Sequence, residues 1–147
     1  MIVIDERKVF EIIEERKPTS VALNGPDGIL PKVQDLALKI GKKFGIPAYL
    51  LADTTWGSCD LNSIGGKILN AAIQFNIGHT NKLDVLEKNV LMIDAYDDVP
   101  FDKVVIKCIH LLKGKTVSLI TDSQHLHQIE YVKNMLEKNN VGVKIGK

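Results

Sequence analysis

Short apolar runs alternate with amphipathic stretches of about 10 to 15 residues along nearly the whole chain, and this alternation restricts the fold more than any other feature. Val9, Ile12 and Ile13 fall on one helical face between residues 5 and 17, and Pro18 stops the pattern. Ser20 to Asn24 is then an apolar run that breaks at Gly25-Pro26-Asp27-Gly28, a string that can continue neither a strand nor a helix interior. Val33, Leu36, Ile40 and Phe44 step by three or four, with Pro31 in the first turn and Gly45 at the end, so a helix returns the chain to a second strand at Pro47 to Ala52.

The same reading continues along the chain. It predicts a loop over Asp53 to Asp60, a helix over Leu61 to Phe75 weakened by Gly65-Gly66, and strands at Asn76 to Gly78 and Val90 to Asp94. A helix follows with Phe101, Val104, Val105, Cys108, Leu111 and Leu112 on one face, then a strand at Thr116 to Ile120, a helix at Gln124 to Lys138 and a strand at Val141 to Ile145. Strands that are apolar throughout, alternating with helices, describe an α/β fold: a parallel sheet flanked by helices on both faces. The stretch from Ser20 to Asp53 parallels that from Thr116 to Gly146. Residues 1–113 are therefore expected to form one complete unit, and residues 114–147 the βαβ start of a second similar unit packed on the first or on a partner chain.

With 147 residues the chain can bury about 70 % of its unfolded surface, enough for a substantial core. Nineteen Lys and Arg against eighteen Asp and Glu leave a net charge of +1, so no global field draws the protein to nucleic acid or to an anionic membrane. The longest apolar stretches, such as Ile46 to Ala52, fall far short of the roughly 20 residues of a spanning helix, and the first residues lack the order of a signal peptide. A cytoplasmic protein is expected. Two cysteines, Cys59 and Cys108, make neither a CxxC site nor a disulfide framework.

In parallel sheets ligands sit beyond the carboxyl ends of the strands, so the loops at 25–28, 53–60, 79–83 and 122–125 should share one edge. Cys59 lies in such a loop beside the small residues Gly57 and Ser58, either as an incidental thiol or as one reachable by a metal or an electrophile. Cys108, by contrast, sits among the apolar positions of a helix and reads as a small buried hydrophobe. His79 closes a strand at the same edge and is either a surface histidine or a substrate contact. Gln124, His125 and His127 open a helix whose backbone N–H groups could meet an anion, although capping by Asp122 or Ser123 explains the turn as well. His110 is expected to face solvent. Asp94, Asp97 and Asp98 form an acidic loop that is either solvated or a site for a hard cation. The common phosphate-binding and hydrolase motifs are missing from the sequence.

Three strings taken together resemble the archaeal and eukaryotic diphthamide synthases, which are non-classical radical S-adenosylmethionine enzymes. They are Asp53-Thr-Thr-Trp56-Gly57-Ser58-Cys59, Gly78-His79-Thr80 and Thr121-Asp-Ser-Gln124-His125-Leu126-His127, in the family's order. The resemblance runs from Ser20 over most of the chain and covers the N-terminal portion of such enzymes. It implies related α/β units, each giving one loop cysteine to a shared [4Fe–4S] cluster whose open iron takes S-adenosylmethionine. An amino-carboxypropyl radical then attacks a histidine of translation elongation factor 2. Under this resemblance Cys59 is the first cluster ligand, and Asp53, Trp56, Gly57 and His79 belong to the cofactor-binding pocket.

The chain also departs from the family pattern. Trp56 replaces a Tyr, Ser58 an Ala and Asn81 a Cys, Asp60 stands where a second adjacent Cys is common, and the second and third cluster cysteines have no counterpart. The resemblance thus implies a chain that needs cysteines from elsewhere, is inactive alone and assigns no catalytic residue of its own. The apolar faces of residues 115–147, with Val117, Leu119, Ile129, Val132, Leu136 and Val143, predict association as a homodimer or with a sister subunit. The competing reading is a non-catalytic α/β scaffold or partner subunit without metal.

Overall fold

The structure is a computed structural model that describes residues 2–53, 63–78 and 88–146. Close contacts divide the chain into two units, residues 2–95 and residues 96–146.

The first unit opens with β1 (Ile2–Ile4) and α1 (Glu6–Arg16). Asp5 caps the helix by accepting a bond from the Lys8 amide, and Lys17 ends it in the left-handed conformation ahead of Pro18. The chain continues through β2 (Val21–Asn24), one turn of 3₁₀ helix, α2 (Leu30–Phe44), β3 (Ala48–Leu50), α3 (Ser63–Ile68), β4 (Ile73–Ile77) and β5 (Val90–Ile93). Gly45 terminates α2 with a φ of 68°, as the sequence predicts. The four strands β2 to β5 form one parallel sheet in the order β3-β2-β4-β5. Val21 and Leu23 of β2 and Phe75 and Ile77 of β4 pack with Val9 and Ile13 of α1 and Val33, Leu36 and Ile40 of α2. The opposite face carries Ala22, packed with Leu51 and Ala71, and there α3 brings Gly66 against Gln74. Helices thus cover both faces, the α/β arrangement read from the sequence. Each fully buried aliphatic or Phe side chain here is worth about 1.5–3 kcal/mol. The exposed pairs Lys39–Glu6 and Lys43–Glu14 that link α1 to α2 add at most about 1 kcal/mol each.

The helix expected over Leu61 to Phe75 is corrected. Only Ser63–Ile68 is helical among the described residues, and Asn70 has a φ of 52° that turns the chain. Ile73, Phe75 and Ile77 are buried in β4, between β2 and β5. Their apolar side chains answer the period of a strand, which tertiary burial selects over the weak helix of the glycine pair. Two short strands also went unread, β1 and β6 (Ala95–Asp97); the second of these occupies most of the stretch expected to be an acidic loop.

The second unit contains α4 (Asp102–Leu112), β7 (Thr116–Leu119), a 3₁₀ turn at Leu126–Gln128, α5 (Ile129–Glu137) and β8 (Gly142–Ile145), with β7 and β8 parallel. Val132, Leu136 and Val141 form its buried centre, with Phe101, Val105, Ile109 and Leu112 of the α4 region packed against them. The helix counted in the first unit from sequence therefore packs with the βαβ segment. Its buried stripe differs too: Val104 and Leu111 are exposed, and Cys108 is half-buried rather than buried. The angular step of the helix explains this, since Phe101, Val105, Ile109 and Leu112 lie on one side and Val104, Cys108 and Leu111 on the adjoining one. Among the described residues no helix is long and apolar enough to cross a membrane.

Candidate functional site

Because β2 to β5 are all parallel, their carboxyl ends lie along one edge of the sheet. From β2 the chain crosses through α2 to β3 on one side, whereas β4 lies on the other side of β2. The order of strands therefore reverses between β2 and β4, the place where open α/β sheets form their ligand crevice. At that point, near the ends of the two strands, asparagines face each other, Asn24 opposite Asn76. Both belong to the sheet face that carries Ala22 and Gln74, and they are 0 % and 1 % exposed.

Neither side chain is satisfied. Among the described residues, Nδ2 and Oδ1 of Asn24 and Nδ2 of Asn76 have no hydrogen-bond partner. Leaving a buried amide unpaired costs roughly 1–3 kcal/mol, so this pair weakens the fold rather than holding it. Around it the backbone is drawn in closely. A Cβ on Gly25 would stand 3.1 Å from the Ile77 carbonyl oxygen, and Gly78, with a φ of 84°, would meet the Ile29 Cδ1 at 3.0 Å. Both positions favour glycine for those reasons. Sequence reading missed Asn24 and Asn76, although one signal was present: in each case an asparagine follows an apolar strand residue and precedes a glycine within two positions.

Of the residues singled out from sequence, Asp53 is exposed just beyond β3. Trp56, Gly57, Cys59 and His79 lie outside the described residues. The segments that carry them leave directly from the ends of β3 and β4.

In the second unit, the turn after β7 places a histidine among carboxylates. The Nδ1 of His125 lies 2.8 Å from Asp122 Oδ1, and its Nε2 lies 3.8 Å from Asp97 Oδ2. The Asp122 side chain also accepts a bond from the His125 amide, which closes the turn at 123–125; neither the 3₁₀ turn nor α5 carries the side-chain cap read as one alternative from sequence. The bond from His125 holds the Asp122 carboxyl below its ordinary pKa. Phe101 packs edge-on against the His125 ring at 5.2 Å, and Tyr96 packs against His127 at 4.7 Å. Gln128 fixes the turn further by donating to the carbonyls of Asp97 and Val99. An open cavity of about 230 Å³ lies here, lined by Phe101, Val105, Ile120, His125, Gln128 and Val132 among others. His110 is exposed on α4, as expected. Tyr131 donates to the Asp102 carboxylate on α4, and that bond raises the pKa of its phenol.

Among the described residues no three His, Cys, Asp or Glu side chains come together as a metal site, the acidic stretch at 94–98 included. An iron–sulfur cluster needs several thiolates. Cys108 is half-buried on α4, and Cys59 is the only other cysteine in the sequence. The residues of this chain therefore do not complete a cluster site; at most, Cys59 offers one thiolate from the segment after β3.

A parallel α/β sheet with its unsatisfied polar groups at the switch point marks the class, and comparison with known proteins gives the family. Residues 25–147 match the family of diphthamide synthesis proteins, and the chain belongs to that family. It is 25 % identical over 142 residues to the 2-(3-amino-3-carboxypropyl)histidine synthase of Pyrococcus horikoshii, covering 93 % of this chain and 41 % of that protein. It is 30 % identical over 71 residues to subunit 2 of the synthase of Xenopus laevis, covering 48 % of this chain and 15 % of the relative. The crystal structure of Dph2 from Pyrococcus horikoshii with a 4Fe-4S cluster superposes with a TM-score of 0.85 at 22 % identity, over 99 % of this chain and 44 % of that one. A second crystal structure of the same protein gives 0.83 at 23 % identity. The chain thus spans less than half the length of these relatives, corresponding to an N-terminal portion.

Proposed function

We propose that this chain is part of the enzyme that transfers a 3-amino-3-carboxypropyl group from S-adenosylmethionine to a histidine of translation elongation factor 2, the first step of diphthamide biosynthesis. The observation that carries the reading is the family match over residues 25–147, combined with a parallel sheet whose strands β3 and β4 lead directly into the segments of Cys59 and His79. In this reading Cys59 supplies one thiolate to an iron–sulfur cluster that activates S-adenosylmethionine when bound. Asp53, Trp56, Gly57 and His79 line the pocket of that substrate. Because the chain brings one such thiolate, it works in the cytoplasm with a sister subunit or a second copy and is inactive alone. Exposed apolar side chains of the second unit, Val104, Leu111 and Leu126 among them, support association of that kind.

The reading is tested in the native cell. Deleting the gene should leave the elongation factor histidine without the amino-carboxypropyl mass, and the wild-type chain should restore it while Cys59→Ser does not. A modified histidine in the deletion strain contradicts the transferase reading. Full rescue by Cys59→Ser favours instead the scaffold or partner subunit without metal.

A further inference from the structure

We infer that Asn24 and Asn76 hold the α-amino-carboxylate end of the substrate, a deepening that rests on the S-adenosylmethionine reading above. The two side chains face each other across neighbouring strands at the switch point of the sheet, both fully buried, with two amide donors and one carbonyl acceptor unpaired. Unsatisfied buried polar groups are rare in native folds, and a ligand that pairs them is one explanation. The donor and acceptor count selects the chemistry. A carboxylate accepts from the Nδ2 groups of both asparagines, and an adjacent ammonium donates to Asn24 Oδ1, so an amino acid satisfies all three atoms. A phosphodiester or a bare carboxylate offers no donor to that carbonyl. An adenine edge would take one donor and the acceptor of Asn24 and leave Asn76 unpaired. The closest aromatic ring in these strands, Phe75, belongs to the other face of the sheet, so nothing in β2 or β4 stacks a base here. Being neutral, the pair leaves no unpaired charge buried in the unbound protein.

Binding to the native complex, the chain together with the partner that accompanies it in its cells, tests the inference. Three probes, S-adenosylmethionine, methionine and 5′-methylthioadenosine, are titrated into ¹⁵N-labelled protein, and the side-chain amide signals of Asn24 and Asn76 are followed. S-adenosylmethionine and methionine should move both pairs of signals, and methylthioadenosine, which lacks the amino acid, should leave them in place. Asn24→Leu should weaken S-adenosylmethionine binding about ten-fold or more. Its melting temperature should stay the same or rise, because the unpaired amide is gone; a residue with a purely structural role would lower it. If Asn24→Leu does not fold, the wild-type signals decide alone. Bound S-adenosylmethionine with unmoved amide signals, or movement by methylthioadenosine alone, overturns the inference and leaves the transferase reading intact. No binding of any probe overturns both.

Discussion

The segments β2-α2-β3 and β7-α5-β8 are the same piece of architecture, each a parallel pair in register joined by a helix, yet they are buried very differently. All four residues of β2 are buried, whereas β7 alternates between exposed and half-buried. On α2 four side chains reach the core, Val33, Leu36, Ala37 and Ile40; on α5 only Val132 and Leu136 do. The strands themselves show why. Val21-Ala22-Leu23-Asn24 has no exposed polar position and lies between β3 and β4 with helices over both faces, while Thr116-Val117-Ser118-Leu119 alternates polar and apolar and pairs with β8 alone among the described residues. Local sequence makes the βαβ unit. The neighbours make the core.

Truncating the equivalent leucines should give the largest contrast. Leu23→Ala removes a side chain that is fully buried in β2 and should cost about 3–5 kcal/mol, while Leu119→Ala in half-buried β7 should cost about 1–2 kcal/mol. Urea unfolding measures both, and equal losses would mean that β7 is covered as fully as β2. A smaller contrast concerns two glycines with positive φ. Gly78→Ala meets both a φ of 84° and the Ile29 Cδ1 at 3.0 Å, whereas Gly114→Ala meets a φ of 76° with open space around the new Cβ. The first should cost about 2–3 kcal/mol and the second about 1 kcal/mol, read as shifts in the unfolding midpoint.

The smallest effect lies in the second unit and depends on pH. The bond from His125 lowers the Asp122 pKa on folding, so its contribution is present above the unfolded Asp value of about 3.9 and fades as pH falls through the lower folded value. Asp122→Asn should therefore lower stability slightly at neutral pH and flatten the acid limb below pH ~4. A parallel acid limb in wild type and variant would show that the pair contributes nothing.

Most of the architecture was legible because apolar runs and helical stripes leave marks at fixed periods. The sheet, the cap at Gly45 and the repeat of the βαβ unit all follow from such marks. Where the marks conflicted, the surroundings decided. The run from Ile73 to Phe75 follows a glycine-weakened helix in sequence but is claimed by the centre of a sheet, and two adjoining stripes on α4 could not be ranked until α5 buried one of them. The site was less legible. Asn24 and Asn76 lie far apart in sequence, and only strand pairing sets them face to face without partners. The motif around Cys59 was plain as a string of residues, whereas that segment lies outside the described residues.

Iron content under anaerobic conditions tests the central claim most directly. Protein isolated from its native cells with whatever partner accompanies it should carry iron and inorganic sulfide and give the electron paramagnetic resonance signal of a reduced [4Fe–4S] cluster. Cys108→Ser should keep the signal, since that thiol is half-buried on α4, and Cys59→Ser should lose it. An intact signal in Cys59→Ser, or no cluster in the wild-type complex, would contradict the account.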